Sequence, residues 1–204
     1  MYVIALTGGI ASGKTTLLTA LFKHGAPVID ADQISRSLTA PGGQALPAIQ
    51  AAFGDGVFAA DGTLDRKTLA AIIFADEAAR RKLETIIHPL VDWHIRQELQ
   101  TLSAGYKAAI VDIPLLYEAG MESIANEVWC VYVPRQEQIR RLCARDRLTR
   151  EQALLRLNSQ MDPREKCRRA DHVIRTDGTP EETAAKAVVL WQNVLNSLGG
   201  THID

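Results

Sequence analysis

Eight consecutive residues, Gly8-Gly9-Ile10-Ala11-Ser12-Gly13-Lys14-Thr15, carry the spacing G-x-x-x-x-G-K-[ST]. Glycines let such a loop fold back so that successive backbone N–H groups converge on phosphate oxygens, and a helix opening at its end adds the positive end of its dipole. The lysine then reaches the outer phosphates, and the hydroxyl after it offers an oxygen to magnesium. The motif needs a strand before it and a helix after it. Val3 to Thr7 reads as that strand, and Thr15 to about His24 as a helix stopped at Gly25. The plain alternative is a glycine-rich turn with an exposed lysine. A Gly-x-Gly-x-x-Gly is absent, so a dinucleotide fold has no fingerprint here.

A triphosphate site also needs carboxylates at the carboxyl ends of the strands. Asp112 closes the apolar run Ala108-Ala-Ile-Val-Asp112, the form of an acid that holds magnesium directly or through water; the same residue could merely cap a turn. Asp30-Ala31-Asp32 follows the second apolar run. Two readings stay open for that pair. Asp32 could orient and deprotonate an attacking hydroxyl, or one of the two could be the N-cap of a helix starting near Asp32.

Between Arg135 and Arg169 eleven basic residues face five acidic ones, a local charge of about +6 in a chain whose net is -1. Arg141 and Arg145 are four apart and share a helix face, and Thr149-x-x-Gln152 looks like a capping box opening a second helix to about Gln160. An arginine-rich helical hairpin downstream of a phosphate loop reads as a lid that neutralises charge during transfer. A solvated basic face is the other reading of any one arginine. The segment has no aromatic interleaving, which argues against a nucleic-acid surface.

The elements that must position these groups are short and apolar almost throughout: Val3 to Thr7, Val28 to Asp30, Ala109 to Ile113, Val128 to Val133 and His172 to Thr176. Strands of that kind are covered on both faces, and the long segments between them suit helical crossovers, so a parallel α/β sheet is expected. About eighty residues between the second and third strands have no convincing strand. Glycine and proline break them into helical pieces, an inserted subdomain. Thr179-Pro180-Glu181-Glu182 starts the last helix, and Gly199-Gly200 ends it before a frayed tail, Thr201 to Asp204. With 204 residues, 47% hydrophobic and 23% charged, the chain can bury a core and is not disordered. Its three dispersed cysteines and lack of any leader or spanning run predict a reduced, cytoplasmic protein without membrane contact. Neither Asn-Lys-x-Asp nor Leu-Ser-Gly-Gly-Gln occurs, so a GTPase switch and an ABC-type ATPase lack their signatures, and a small kinase is the simplest assignment.

The chain resembles one kinase family over nearly its whole length, the dephospho-CoA kinases. The resemblance is carried by Leu6-Thr-Gly-Gly-Ile-Ala-Ser-Gly-Lys-Thr-Thr16, Val28-Ile-Asp-Ala-Asp32, His88-Pro89, Asp112-Ile-Pro-Leu-Leu-Tyr-Glu118, Arg141-Leu-Cys-Ala-Arg-Asp146 and His172-Val-Ile-Arg-Thr-Asp-Gly178. It implies transfer of the ATP γ-phosphate to the 3′-hydroxyl of dephospho-CoA, with magnesium, giving CoA and ADP. It further implies an α/β, P-loop NTPase-type three-layer fold over residues 1–204, with a five-stranded parallel sheet, a helical CoA-binding subdomain at 33–104 inserted after the second strand, and a helical lid at 140–165. Residues Gly9 to Thr16, with Lys14 and Thr15 central, would hold the triphosphate, and Asp177-Gly178 would lie beside the adenine. Thr15 and Asp112 would hold the metal. Asp32, His88, Leu115 and Arg96 would face the acceptor, and Arg141 with Arg145 would neutralise transferred charge. ATP and dephospho-CoA are then the partners, with no nucleic acid, membrane or obligate protein partner. A kinase for another small acceptor, such as a nucleoside monophosphate, and a nucleotide-dependent binding switch are the alternatives.

Three positions depart from the family pattern. Ala11 stands where glycine is usual, which suits a backbone position with negative φ. Asp92 stands where an arginine often follows His-Pro, with Arg96 one turn later as its substitute. Asp177 replaces a more usual asparagine. Proline after His88 is expected to end one helix, either at the substrate or simply before the next begins.

Overall fold

The structure is a computed structural model that describes residues 1–199; the expected helix stop at Gly200 and the tail from Thr201 to Asp204 lie outside the described residues. Five strands, β1 (Tyr2–Gly8), β2 (Val28–Asp30), β3 (Ala108–Asp112), β4 (Glu127–Tyr132) and β5 (His172–Arg175), form one sheet in the order β2-β3-β1-β4-β5. β1 runs parallel to both neighbours, with Leu6 opposite Asp112 and Gly8 opposite Val131. It is flanked on both sides by strands that come later in the chain. The crevice beyond its carboxyl end is therefore the topological switch point at which open α/β sheets bind ligands.

Alternation along β1 sends Ile4 and Leu6 to one face and Val3, Ala5 and Thr7 to the other, and all five are buried. That double burial is why the strands read as unbroken apolar runs. Ile4, Leu6, Ile110, Trp129, Val131 and Ile174 pack with Leu17 and Leu21 of α1 (Lys14–Lys23) and with Ala187, Trp191 and Val194 of α9 (Pro180–Ser197). The spacing of the α9 residues puts them on a single helix face. α9 opens on the expected capping box, Thr179 with Glu182.

The chain divides into two compact units, Asp30–Glu98 and the remainder, from Met1 to Ile29 and from Leu99 onward. The first contains α2 (Ala31–Leu38), α3 (Leu46–Phe53), α4 (Arg66–Ala75) and most of α5 (Glu77–Leu102). The second carries the sheet, α1, α9 and three helices between β4 and β5: α6 (Arg135–Asp146), α7 (Arg150–Asn158) and α8 (Pro163–Arg169). α7 starts on the expected Thr149–Gln152 capping box.

The helix break expected at His88-Pro89 does not occur. α5 runs unbroken for 26 residues with Pro89 inside it. Ile87, Val91 and Ile95 form a buried seam at i, i+4 and i+8 that holds the helix together across the proline. Pro89 and Thr85, the residue whose carbonyl loses its donor, are both exposed, so the missing bond falls on the outer face of the helix rather than on the seam.

Candidate functional site

The loop from Gly8 to Gly13 connects β1 directly to α1, and its backbone has the requirements of a phosphate cradle. A Cβ on Gly8 would sit 2.7 Å from the Val131 carbonyl oxygen, and one on Gly9 would sit 2.6 Å from Nε2 of Gln138, so neither position admits a side chain without movement. Gly13, the N-cap of α1, is left-handed with φ 93°. Ser12 bonds back to the Gly9 carbonyl and Thr16 to the Gly13 carbonyl. Among the described residues the amides of Gly13, Lys14 and Thr15 have no backbone acceptor, and the buried Ser12 hydroxyl has no partner. Unclaimed donors at a helix N-terminus are what an anionic phosphate would satisfy.

Ala11 corrects the expectation of negative φ. Its φ is 57°, in the left-handed region that favours glycine, so this alanine carries a steric cost of about 1 kcal/mol that a glycine would avoid.

Lys14 Nζ is in direct hydrogen-bonded contact with Oδ1 of Asp112, and both side chains are largely buried. The sheet register explains the meeting. Asp112 ends β3 opposite Leu6, two residues before the loop begins, so the carboxylate and the loop share the sheet's carboxyl edge. Thr15, on the first turn of α1, is exposed. Leu115, just past Asp112, is 43% exposed, whereas Leu116 is fully buried.

The two expected lid arginines part company. Arg141 lies against the loop: its Nη1 is 3.2 Å from where a Gly13 Cβ would be, and its Nη2 donates to the Thr176 carbonyl at 2.6 Å. Its Nε donates to Glu137 at 2.7 Å. Arg140 and then Arg141 hold the Glu137 carboxyl down at about 2, so the anchor stays ionic at any working pH. Arg145 instead pairs with Asp146, which Arg156 also contacts, and is more than half exposed. Arg168 likewise pairs with Glu165 inside the basic segment, and Arg169 pairs with Glu122 from outside it. Asp177 is exposed and held by Arg175 at 2.5 Å, the contact that lowers its carboxyl below the usual range. Gly178 beside it is exposed.

Within the Asp30–Glu98 unit, Asp30 is the N-cap of α2 and accepts from the Gln33 amide at 2.9 Å. Capping therefore falls to Asp30. Asp32 sits exposed in the first helical turn, and its carboxylate has no hydrogen bond or ion pair among the described residues. Arg96 bonds Asp92 at 2.7 Å, so the arginine expected to substitute one turn later is engaged by the aspartate that displaced it. His88 is half-buried midway along α5.

Four residues of this site were not singled out from the sequence. The buried Gln138 of α6 donates to the Ile10 carbonyl at 2.9 Å, and Gln160 accepts from the Ile10 amide at 2.9 Å, so both backbone polar groups of one loop residue are gripped by the α6–α8 segment. Thr176 donates from its hydroxyl to the Ser12 carbonyl at 2.5 Å. Lys166, one of the eleven basic residues between Arg135 and Arg169, is fully buried, with Nζ donating to the Pro114 carbonyl at 2.9 Å and pairing with Glu118 at 2.8 Å. It ties α8 to the turn that follows Asp112. Lys166→Met is expected to cost about 2 kcal/mol in urea unfolding, less than a fully buried pair because Glu118 is partly solvated. The Lys166→Met/Glu118→Gln double variant should recover part of that loss; simple additivity would mean the pair has no mutual energy.

The family model for dephospho-CoA kinase matches residues 2–182. The chain belongs to the dephospho-CoA kinase family. It is 46% identical to the dephospho-CoA kinase of Geobacter sulfurreducens over 94% of this chain and 98% of that one. Among solved structures, a Thermus thermophilus protein superimposes with a TM-score of 0.80 at 34% identity, covering 93% of this chain and 97% of that one. The dephospho-CoA kinase of Campylobacter jejuni does so with a TM-score of 0.71 at 30% identity, over 94% and 96%. Family membership makes this a P-loop kinase domain, and the matched span includes the loop, Asp32, Asp112 and Arg141. No described helix is long and apolar enough to cross a membrane.

Proposed function

We propose that the chain transfers the γ-phosphate of ATP to the ribose 3′-hydroxyl of dephospho-CoA, giving CoA and ADP, the last step of coenzyme A synthesis, in the cytoplasm. The observation that carries this reading is the Lys14–Asp112 pair beside a loop whose amides at Gly13, Lys14 and Thr15 have no backbone acceptor among the described residues. The loop amides and Lys14 hold the β- and γ-phosphates. Thr15 and Asp112 suit magnesium, an ion that binds through one or two protein oxygens and otherwise through phosphates and water. When bound, that ion offsets the charge of the triphosphate.

Asp32 takes the proton of the 3′-hydroxyl as its oxygen bonds to the γ-phosphorus, while the bond from that phosphorus to the β–γ bridging oxygen breaks and ADP leaves. Its carboxylate is exposed and not used for capping, which supports that role. Arg141, already anchored beside Gly13, neutralises charge on the transferring group. Arg145 would have to leave Asp146 to join it. Residues 140–165 act as a lid, and the Asp30–Glu98 helices, with His88 and Arg96, take the CoA portion together with Leu115. Asp177-Gly178 border the adenine.

The test is an ADP-release assay offering dephospho-CoA, nucleosides, nucleoside monophosphates and shikimate separately. A marked preference for dephospho-CoA is expected; equal or better turnover of another acceptor would overturn the assignment. A second measurement concerns the glutamine grip. Gln160→Leu removes the acceptor for the Ile10 amide, and the loss of about one hydrogen bond should raise KM for ATP about fivefold with kcat little changed.

A further inference from the structure

Two of the three thiols meet inside the unit that carries the phosphate loop. Cys130 lies in β4, 1% exposed, between Trp129 and Val131, which belong to the core shared with α1 and α9. Alternation turns Cys130 to the opposite face of the sheet. There α8 presents Cys167, and the two sulfurs lie 3.7 Å apart although the residues are 37 positions apart in the chain. A disulfide requires about 2.05 Å, so the sulfurs must close by about 1.7 Å. α8 is only seven residues long, which makes that approach a local adjustment.

The two thiols are chemically unequal. Cys167 is partly exposed, and its thiol is lowered first by its hydrogen bond with Cys130 and also by the Arg175 charge, against burial and the Asp162 charge, which raise it. Cys130 is raised by that same bond, and then by burial. This is the asymmetry of an attacking and a resolving cysteine. Cys143 lies apart on α6, with its sulfur directed at the Thr149 carbonyl, and serves as an internal reference.

We propose that Cys130 and Cys167 are a reversible modification site that closes to an intramolecular disulfide by exchange with a low-molecular-weight disulfide. The Cys167 thiolate attacks one sulfur of the small disulfide, forming a mixed disulfide and releasing one small thiolate, which takes up the proton lost by Cys167. The Cys130 thiolate then attacks the Cys167 sulfur, closing the protein disulfide and expelling the second small thiolate, which is protonated in turn. Two protein thiols are oxidised and one small disulfide is reduced to two thiols. The bond would tie together two points next to the site. Cys130 is in register with Thr7 at the mouth of the loop, and Cys167 follows Lys166, which holds the turn after Asp112.

The experiment treats the folded full-length protein with excess oxidised glutathione, then combines thiol titration with peptide mapping by mass spectrometry. The expected result is the loss of two of the three titratable thiols, a mass lower by about 2 Da, a cross-linked peptide joining Cys130 and Cys167, and full reversal by dithiothreitol. Cys167→Ser, at the more exposed position, should abolish the cross-link, and Cys143→Ser should leave it intact. A stable glutathione adduct on Cys167 that Cys130 does not resolve would overturn the proposal. So would preferential capture of Cys143 while Cys130 and Cys167 stay titratable.

Discussion

Lys14→Ala should lower kcat/KM for dephospho-CoA phosphorylation by about a thousandfold, with circular dichroism unchanged. A single preorganised charged donor at a transferring group is worth about 3–4 kcal/mol, and Lys14 is the cation in direct contact with the carboxylate at the carboxyl edge of β3. Alanine has two consequences that act together. It withdraws the positive charge from the β- and γ-phosphates, and it leaves the Asp112 carboxylate without that ammonium when a polyanion enters the same crevice. Both the ATP KM and kcat should therefore suffer, unlike the Gln160→Leu variant, where the loss is confined to KM. Lys14→Met keeps the aliphatic stem that packs in the site, so it separates the charge from the packing. If either variant turned over within tenfold of the parent, Lys14 would not be the phosphate lysine and the loop reading would fall.

The loop, its flanking strand and helix, and both capping boxes could be read in the sequence because each is a local pattern, set by residues within about ten positions of one another. The sheet could be read because burial on both faces leaves an apolar run without alternation. What escaped depends on distant partners. Nothing near Lys166 in the chain marks it as buried, since its acceptors, Pro114 and Glu118, lie 52 and 48 residues away. Gln138, Gln160 and Thr176 reach the loop across 128, 150 and 164 residues, and amide or hydroxyl side chains carry no pattern that reveals such a reach. Charge counting over a sequence interval has the same limit: the +6 already includes the acids inside the segment, but the fold brings Glu118 and Glu122 from outside it against Lys166 and Arg169. Pro89 was misread because a local rule about helices yielded to a buried seam. At Ala11 the loop imposes its conformation on a residue that disfavours it, a cost that the flanking structure must offset.

Asp32→Asn should lower kcat by about a hundredfold or more while leaving Tm and the ATP KM nearly unchanged. The amide is almost isosteric, so the substitution removes little except the capacity to accept a proton, and general-base groups contribute about 10²–10⁴ in rate. The prediction is sharpened by its neighbour two residues earlier. Asp30 supplies the N-cap oxygen of α2, and losing such a cap costs about 1 kcal/mol, a fall of about 2–4 °C in Tm for a domain of this size. Asp30→Ala should therefore act mainly on stability, and Asp32→Asn mainly on turnover. Measuring kcat and Tm for both variants decides between the two readings of Asp30-Ala31-Asp32. If Asp32→Asn lowered Tm and spared kcat, the role of Asp32 would be to stabilise the first turn of α2, and another group would have to accept the 3′-hydroxyl proton. If instead the variant lost activity through ATP binding alone, Asp32 would serve the nucleotide rather than the acceptor.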